Sequence, residues 1–159
     1  MYKPVKNTMQ MMKKVFFSVL LALGSLASQA QEFSVEKLKQ DVWRQQTNST
    51  TEKTIRKFSD SIENLTFSVF WKGQWRSSSV DYPYYLSPTI PQTFDFNKVG
   101  KGEAGKYLVT WNDKMKEFYV LEIVSLSDTC LQLKTGIIDR GAIGGRDTLT
   151  YTKVIPESH

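Results

Sequence analysis

Tyr107-Leu108-Val109-Thr110-Trp111 begins the stretch of sequence that decides the fold of this chain. The turn sequence Asn112-Asp113-Lys114 follows it, and the apolar residues then recur at every second position from Glu117 to Val124. A period of two is typical of a β-strand with one buried face. A short polar turn between two such strands makes them antiparallel neighbours. These residues therefore predict a hairpin in which Gly105–Trp111 pairs with Glu117–Val124.

The polar residues of this hairpin predict which of its faces is buried. Lys106, Thr110 and Glu122 occupy alternate positions, so we expect the residues between them to face the interior. The predicted inward set is Tyr107, Val109, Trp111, Tyr119, Leu121 and Ile123.

The same alternation recurs along most of the chain. It is clear from Leu65 to Trp71, from Leu131 to Leu133 and from Leu149 to Tyr151. Turn signals separate such runs by about 8 to 12 residues, which is the spacing of an all-β sandwich or barrel. We therefore predict an up-and-down antiparallel β-barrel of about eight to ten strands, which closes on itself and so has no exposed edges.

One short helix is expected before the first strand. Ser34 can cap the first amides of a helix, and Phe33 and Leu38 stand at the positions of a hydrophobic staple. This helix should cover one end of the barrel.

Two connections interrupt the alternation. Residues 80–92 contain three prolines beside Tyr82, Tyr84 and Tyr85, and we expect an irregular lid there. Residues 136–146 are rich in glycine but lack the ending of a phosphate-binding loop, so a hairpin connection is expected.

The first thirty residues have the pattern of a secretory signal peptide. Lys13 and Lys14 precede an apolar run from Val15 to Leu26, and Ser28-Gln29-Ala30 offers small residues for cleavage. The run is short for a membrane span, so we expect cleavage after Ala30, no stable membrane insertion, and a secreted or periplasmic protein. Residues 31–159 are then one domain, expected to be a monomer. Translation could start at Met1, Met9, Met11 or Met12.

The charge of the chain gives no reason to expect a nucleic-acid partner. Four of the 21 Lys and Arg residues, but none of the 16 Asp and Glu residues, lie before Gln31. The remaining residues carry almost balanced and interspersed charges, whereas nucleic-acid binding needs a clustered basic face.

Residues with catalytic chemistry are few. The single histidine is the terminal residue His159, and Cys130 is the single cysteine, so neither a Ser-His-Asp triad nor a histidine zinc site is expected. Cys130 stands in an alternating run and is expected to act as a small apolar residue. The sequence thus predicts a protein that is not an enzyme and binds no metal or cofactor.

Several segments together resemble the bacterial secreted lipocalin-like domain proteins, a calycin-type family. These segments are Thr93-Phe94-Asp95-Phe96, Gly105-Lys106-Tyr107-Leu108-Val109, Glu122–Leu133 and Leu149-Thr150-Tyr151-Thr152-Lys153. The resemblance implies a barrel able to hold a small apolar ligand. Trp43 matches the tryptophan of the family's Gly-x-Trp signature, although Asp41 replaces its glycine. The resemblance also implies that Arg146, or else Arg140, packs over Trp43 and closes one barrel end.

The leading functional hypothesis is a secreted, non-enzymatic barrel that binds a small, mainly apolar molecule. The candidate pocket residues are Phe67, Val69, Tyr85, Tyr107, Val109, Leu121 and Ile123. The alternative is an interaction module for a protein or glycan outside the cytoplasm, with a barrel filled by side chains. The exposed surfaces of the tyrosines and tryptophans could serve either function.

Overall fold

The computed structural model describes residues 31–138 and 147–155. Eight β-strands follow one short α-helix in chain order, and a 3₁₀ turn lies between the fourth and fifth strands. The elements are α1 (Val35–Lys39), β1 (Val42–Gln45), β2 (Glu52–Phe58), β3 (Ile62–Trp71), β4 (Gln74–Ser87), the 3₁₀ turn η1 (Phe96–Lys98), β5 (Tyr107–Asn112), β6 (Glu117–Leu126), β7 (Cys130–Ile138) and β8 (Thr148–Lys153).

The eight strands form a closed up-and-down barrel. Each strand pairs antiparallel with the next in sequence, and β8 returns to pair with β1 through Trp43 and Lys153. The predicted fold class is therefore confirmed, and the barrel is compatible with a calycin-like fold. Its closure gives every strand two neighbours, which removes the free edges of an open sheet.

The short helix begins where the sequence predicted it. Ser34 has an extended backbone, and its side-chain oxygen accepts a hydrogen bond from the Lys37 amide at 3.3 Å. This bond satisfies one of the free amides at the helix start. The staple residues Phe33 and Leu38 are both buried in the main core.

The longest hairpin joins β3 to β4. Its turn residues Lys72 and Gly73 both have positive φ, as a two-residue type I′ turn requires. Ten residue pairs connect the strands, from Ile62 opposite Pro83 to Trp71 opposite Gln74. By contrast, β4 pairs with β5 only through Tyr84–Ser87. The first ten residues of β4 therefore pair with β3 alone.

The predicted antiparallel pairing of β5 with β6 is confirmed, although its register puts Tyr107, Val109 and Trp111 on the opposite face from Leu121 and Ile123. Tyr107 lies opposite Glu122, and Trp111 lies opposite Phe118. At the turn, the Asn112 side-chain oxygen accepts hydrogen bonds from the amides of Lys114 and Met115.

The barrel interior holds the main core. Leu86, Leu108 and Ile123 are fully buried there, and Trp43 joins them near the helix. The Trp43 indole nitrogen donates a 3.0 Å hydrogen bond to the backbone oxygen of Leu38, the last apolar residue of α1. The helix and Trp43 together fill this part of the interior.

A second core lies on the outer surface, and it corrects the predicted facing of β5. Tyr107, Val109 and Trp111 alternate with Leu108, which is part of the interior, so they face outward and not inward. Phe94 covers this outer face, with its ring centroid 5.5 Å from that of Trp111. The prediction failed because the connection before β5 folds back over the barrel and buries its outside.

The predicted lid at residues 80–92 is also wrong in its main part. Tyr82, Tyr84 and Tyr85 belong to β4, which ends only at Ser87. Pro83 fits into this strand because of the direction of the next amide. The Tyr84 amide donates a hydrogen bond to the backbone oxygen of Ser61, the residue directly before β3. The Pro83 nitrogen therefore points the other way, where pairing with β5 has not yet begun, so no ladder hydrogen bond is lost.

Candidate ligand site in the open half of the barrel

A polar layer crosses the middle of the barrel. Arg56 of β2 is hydrogen-bonded and ion-paired to Glu63 of β3, and its Nε donates a 2.9 Å hydrogen bond to the hydroxyl of Tyr151 on β8. All three residues are buried, and Glu63 and Tyr151 each expose only 1% of their surface. Three strands are thus tied together inside the barrel.

The electrostatics of this layer keep Arg56 charged. Burial opposes the charged form and alone would lower the pKa of the guanidinium. The negative charge of Glu63 and the Tyr151 hydroxyl outweigh burial, and the pKa of Arg56 is raised above its ordinary value. A buried charge is tolerated here because it is paired and hydrogen-bonded.

One half of the interior, on the helix side of this layer, is packed solid. The side chains there come from the helix and from most strands, and each is at most 6% exposed. They are Phe33, Val35, Leu38, Trp43, Phe58, Tyr84, Leu86, Leu108, Ile123, Leu126 and Leu131. The Tyr84 hydroxyl donates a 2.7 Å hydrogen bond to the Ser59 backbone oxygen. Burial raises the Tyr84 pKa far above its ordinary value.

The other half of the interior is open. Phe67 and Val69 stand two and four residues beyond Leu65 on β3, on the same face as the buried Glu63. The pairing of β3 with β4 has no register shift, so this facing is maintained along the strand. Yet Phe67 and Val69 are 45% and 46% exposed, whereas Leu65 is only 8% exposed. The interior therefore opens toward the β3–β4 turn.

Tyr82 and two leucines contribute the wall of the open half on the neighbouring strands. Tyr82 lies opposite Glu63 and so shares its inward face. Burial, followed by the charge of Glu63 and the nearby Tyr119 phenol, raises the pKa of Tyr82. Leu121 and Leu149 are half-buried against the core at the same level. Together these residues make a cup whose floor is the polar layer. Nearer its mouth, Thr54 and Ser78 lie opposite Phe67, and Glu52 and Arg76 lie opposite Val69.

The predicted pocket residues fall into three groups. Phe67 and Val69 line the open cup, and Leu121 borders it. Ile123 is inside the barrel but fully buried in the packed half. Tyr85 and Val109 belong to the outer cluster, against which Tyr107 packs, so these three do not line the interior.

The predicted closure of the barrel end by arginine concerns residues that are not described. Arg146 and Arg140 both lie outside the described residues. Trp43 itself is fully buried beside the helix.

Sequence reasoning missed the polar layer, although a signal for it was present. Arg56 stands two residues before Phe58, and Glu63 stands two residues before Leu65. Each charge therefore occupies an inward position of an alternating strand. Two opposite charges at inward positions of adjacent strands indicate a buried ion pair, and the register places them two residue pairs apart, at neighbouring positions of the inward face.

The part of the chain that the structure describes has neither a cluster of metal ligands nor a membrane-spanning helix. In residues 31–138 and 147–155, no group of three or more His, Cys, Asp or Glu side chains is placed to hold a metal ion. None of the helices within that part of the chain has the length and apolar character needed to cross a membrane.

Comparisons of the chain with protein-family models, with curated proteins and with solved structures find no match.

Proposed function

We propose that the open half of the barrel binds one small, mainly apolar molecule, as in a lipocalin-like carrier outside the cytoplasm. The observation that carries this proposal is the exposure of Phe67 and Val69 on the inward face of β3. Their neighbours toward the helix are packed, so the exposed apolar surface forms a cup with a closed floor. Concave apolar surface with a few polar groups is the usual character of a small-molecule site.

The chemistry of the cup favours a ligand with an apolar body and a neutral polar end. Phe67, Val69 and Leu65 offer apolar walls, and Tyr82 offers a phenol close to the floor. Arg56 is satisfied by Glu63 and Tyr151, so it is not free to neutralise a ligand anion. An aromatic or acyl compound without a charge suits this arrangement best. The protein would then act by sequestering or carrying such a molecule and not by catalysis.

Binding can be tested with the neutral fluorescent probe N-phenyl-1-naphthylamine. We expect saturable binding of about one probe per chain, because the described residues form a single open cup of this kind. Phe67→Ala removes a wall of the cup and should weaken binding by about tenfold. Val109→Ala serves as the matched control, since it removes apolar volume from the outer face and should leave probe affinity unchanged. Absence of saturable binding, or equal loss in both variants, would refute the proposal.

The alternative function is an interaction module, and one observation favours it. Phe70, Trp71 and Trp75 are exposed around the β3–β4 turn, where a binding surface could lie. A glycan is disfavoured at Trp75, because Lys53 Nζ lies 3.9 Å from its ring centroid and the Phe70 ring packs at 5.4 Å. Stacking of a sugar needs a free aromatic face.

A further inference from the structure

The end of the β3–β4 hairpin extends past the pairing of its neighbours. The last registered pair with β2 is Glu52 opposite Val69, and β5 begins to pair with β4 only at Tyr84. The segment that follows has the sequence Phe70-Trp71-Lys72-Gly73-Gln74-Trp75-Arg76, and we name it the hairpin tip. Its first residue is still anchored, because the Phe70 amide donates a 2.8 Å hydrogen bond to the backbone oxygen of Thr51. Its three aromatic residues are 40% to 56% exposed. Such surface on a secreted domain requires a partner or an interface.

The aromatic residues lie on both faces of the hairpin tip. Phe70 and Trp75 are directly opposite each other and share the outer face. Trp71 follows Phe70 and so points to the inner face, where it is 56% exposed. A folded protein partner would cover one face of this thin ribbon. A lipid interface would surround the tip and bury both faces.

The charged residues of the hairpin tip itself are both positive. Lys72 and Arg76 are the only charged residues between Glu63 and Asp81. Lys53 of β2 adds a third cation, since its ammonium group lies over the Trp75 ring. This arrangement complements a surface with negative charge.

A groove adjoins the hairpin tip on the outer face. Trp75 forms one wall, and the connection between β1 and β2 forms the other. The groove has a volume of about 800 Å³ and contains the cations Arg44 and Lys53 and one acid, Glu52. Its remaining lining is neutral and polar, with side-chain amides and hydroxyls from Gln45, Gln46, Thr47, Asn48, Ser49, Thr50 and Thr152. Cations with amide and hydroxyl donors are the groups that bind a phosphodiester.

We propose that the hairpin tip docks the protein on an anionic phospholipid surface, with the adjacent groove receiving a lipid phosphate. Trp71, Trp75 and Phe70 enter the interfacial region, which tryptophan favours because its ring is amphipathic. Lys72 and Arg76 remain at the headgroup level and attract the negative surface. The two features are contiguous because Trp75 belongs to both. This docking does not depend on whether the barrel interior binds a ligand.

The test measures co-sedimentation of the protein with vesicles of phosphatidylcholine, with and without phosphatidylglycerol. Because Val15–Leu26 would itself bind lipid, the N-terminus is determined by intact mass and all variants share it. We expect binding that requires phosphatidylglycerol and weakens when salt is raised from about 0.1 M to 1 M. The variant Trp71→Ser/Trp75→Ser should bind about tenfold more weakly, as should Lys72→Gln/Arg76→Gln.

A matched control exists at the turn between β5 and β6. Met115 is 60% exposed there and lies between Lys114 and Lys116, so this turn also presents an apolar side chain between cations, although Lys116 is paired with Asp113. Met115→Ser/Lys114→Gln should leave vesicle binding unchanged. Brominated phosphatidylglycerol should quench the tryptophan fluorescence of the wild type more than that of Trp71→Phe. Such a difference would locate Trp71 in the lipid.

Three results would overturn the proposal. The first is equal binding by the wild type and the hairpin-tip variants, and the second is equal loss in the Met115 control. The third is self-association in sedimentation velocity that Trp71→Ser/Trp75→Ser abolishes without vesicles present. That third result would assign the hairpin tip to a second copy of the chain.

Discussion

Arg56 and Tyr151 are 95 residues apart in the chain, yet Arg56 Nε donates a 2.9 Å hydrogen bond to the Tyr151 hydroxyl inside the barrel. Arg56 belongs to β2 and Tyr151 to β8, and β1 lies between these strands in the sheet. The hydrogen bond therefore spans the place where the last strand returns to the first. Glu63 completes the layer, so Arg56 has one partner on β3, which is Glu63, and one on β8, which is Tyr151.

Removing one member of this layer should destabilise the protein strongly. Glu63→Leu leaves the Arg56 charge buried with only the Tyr151 hydroxyl as a partner. The expected loss is about 3–5 kcal/mol in the free energy of unfolding, measured by urea denaturation. The double variant Arg56→Met/Glu63→Leu should recover most of that loss, because an apolar pair replaces the ion pair.

A surface ion pair provides the comparison for these two variants. Lys116 Nζ and Asp113 Oδ1 are 2.7 Å apart but largely exposed, and replacing Asp113 by Asn should cause no measurable change in stability. If Glu63→Leu is as mild as the Asp113 substitution, Arg56 is not held as a buried charge.

The period of two in the sequence was sufficient to predict the strands, their antiparallel order and the pairing of β5 with β6, but not the register of that pair. It did not predict which face of β5 is inside. Thr110 is 4% exposed and faces the interior, while Val109 is buried by a connection that crosses the outside. Alternation defines two faces, but only tertiary contacts decide which face a loop will cover.

Substitutions on the two faces of the barrel should separate stability from ligand binding. Val109→Ala removes a fully buried side chain from the outer cluster and should cost about 1–3 kcal/mol. Phe67→Ala should cost less, because nearly half of Phe67 is already exposed to water. Thermal and urea unfolding of the two variants provide the comparison. A larger loss for Phe67→Ala would mean that the cup is closed in solution.

Gly105 should not tolerate a side chain. A Cβ added there would lie 2.4 Å from the backbone carbon of Ser87, which is too close for any real contact. The Gly105 amide and carbonyl also bond to Phe33, so the backbone cannot move away easily. Gly105→Ala should cost about 1–3 kcal/mol in urea denaturation. Ala104→Ser, at the exposed neighbour, is the control, and similar denaturation midpoints for both variants would contradict the close approach of Gly105 to the Ser87 backbone.

The sequence predicted only part of the candidate site, because it gave no expectation of charged residues inside the barrel. Phe67 and Val69 were found because their alternation is unbroken by charge. Arg56 and Glu63 were missed because charged residues are normally assigned to the solvent face. Their pairing became evident only when the register placed β2 beside β3. Tyr85 was misplaced because three nearby prolines suggested a loop where β4 continues.

Tyr84 should make the stability of the protein fall at alkaline pH. Burial raises its pKa in the folded protein, whereas a tyrosine in the unfolded chain ionises near pH 10. Below about pH 10 the phenol is neutral in both states, and its full contribution to stability is present. Above that pH only the unfolded state loses the proton. The free energy of unfolding should then fall by at most about 1.4 kcal/mol per pH unit until the folded pKa is reached.

Tyr84→Phe loses the hydrogen bond to Ser59 and should be about 1 kcal/mol less stable than the wild type near pH 8. Because phenylalanine cannot ionise, this difference should shrink as the pH rises from about 10 to 11. Urea denaturation of both proteins across this range measures the difference directly, and a constant difference would show that the Tyr84 phenol ionises as readily in the folded protein as in the unfolded chain.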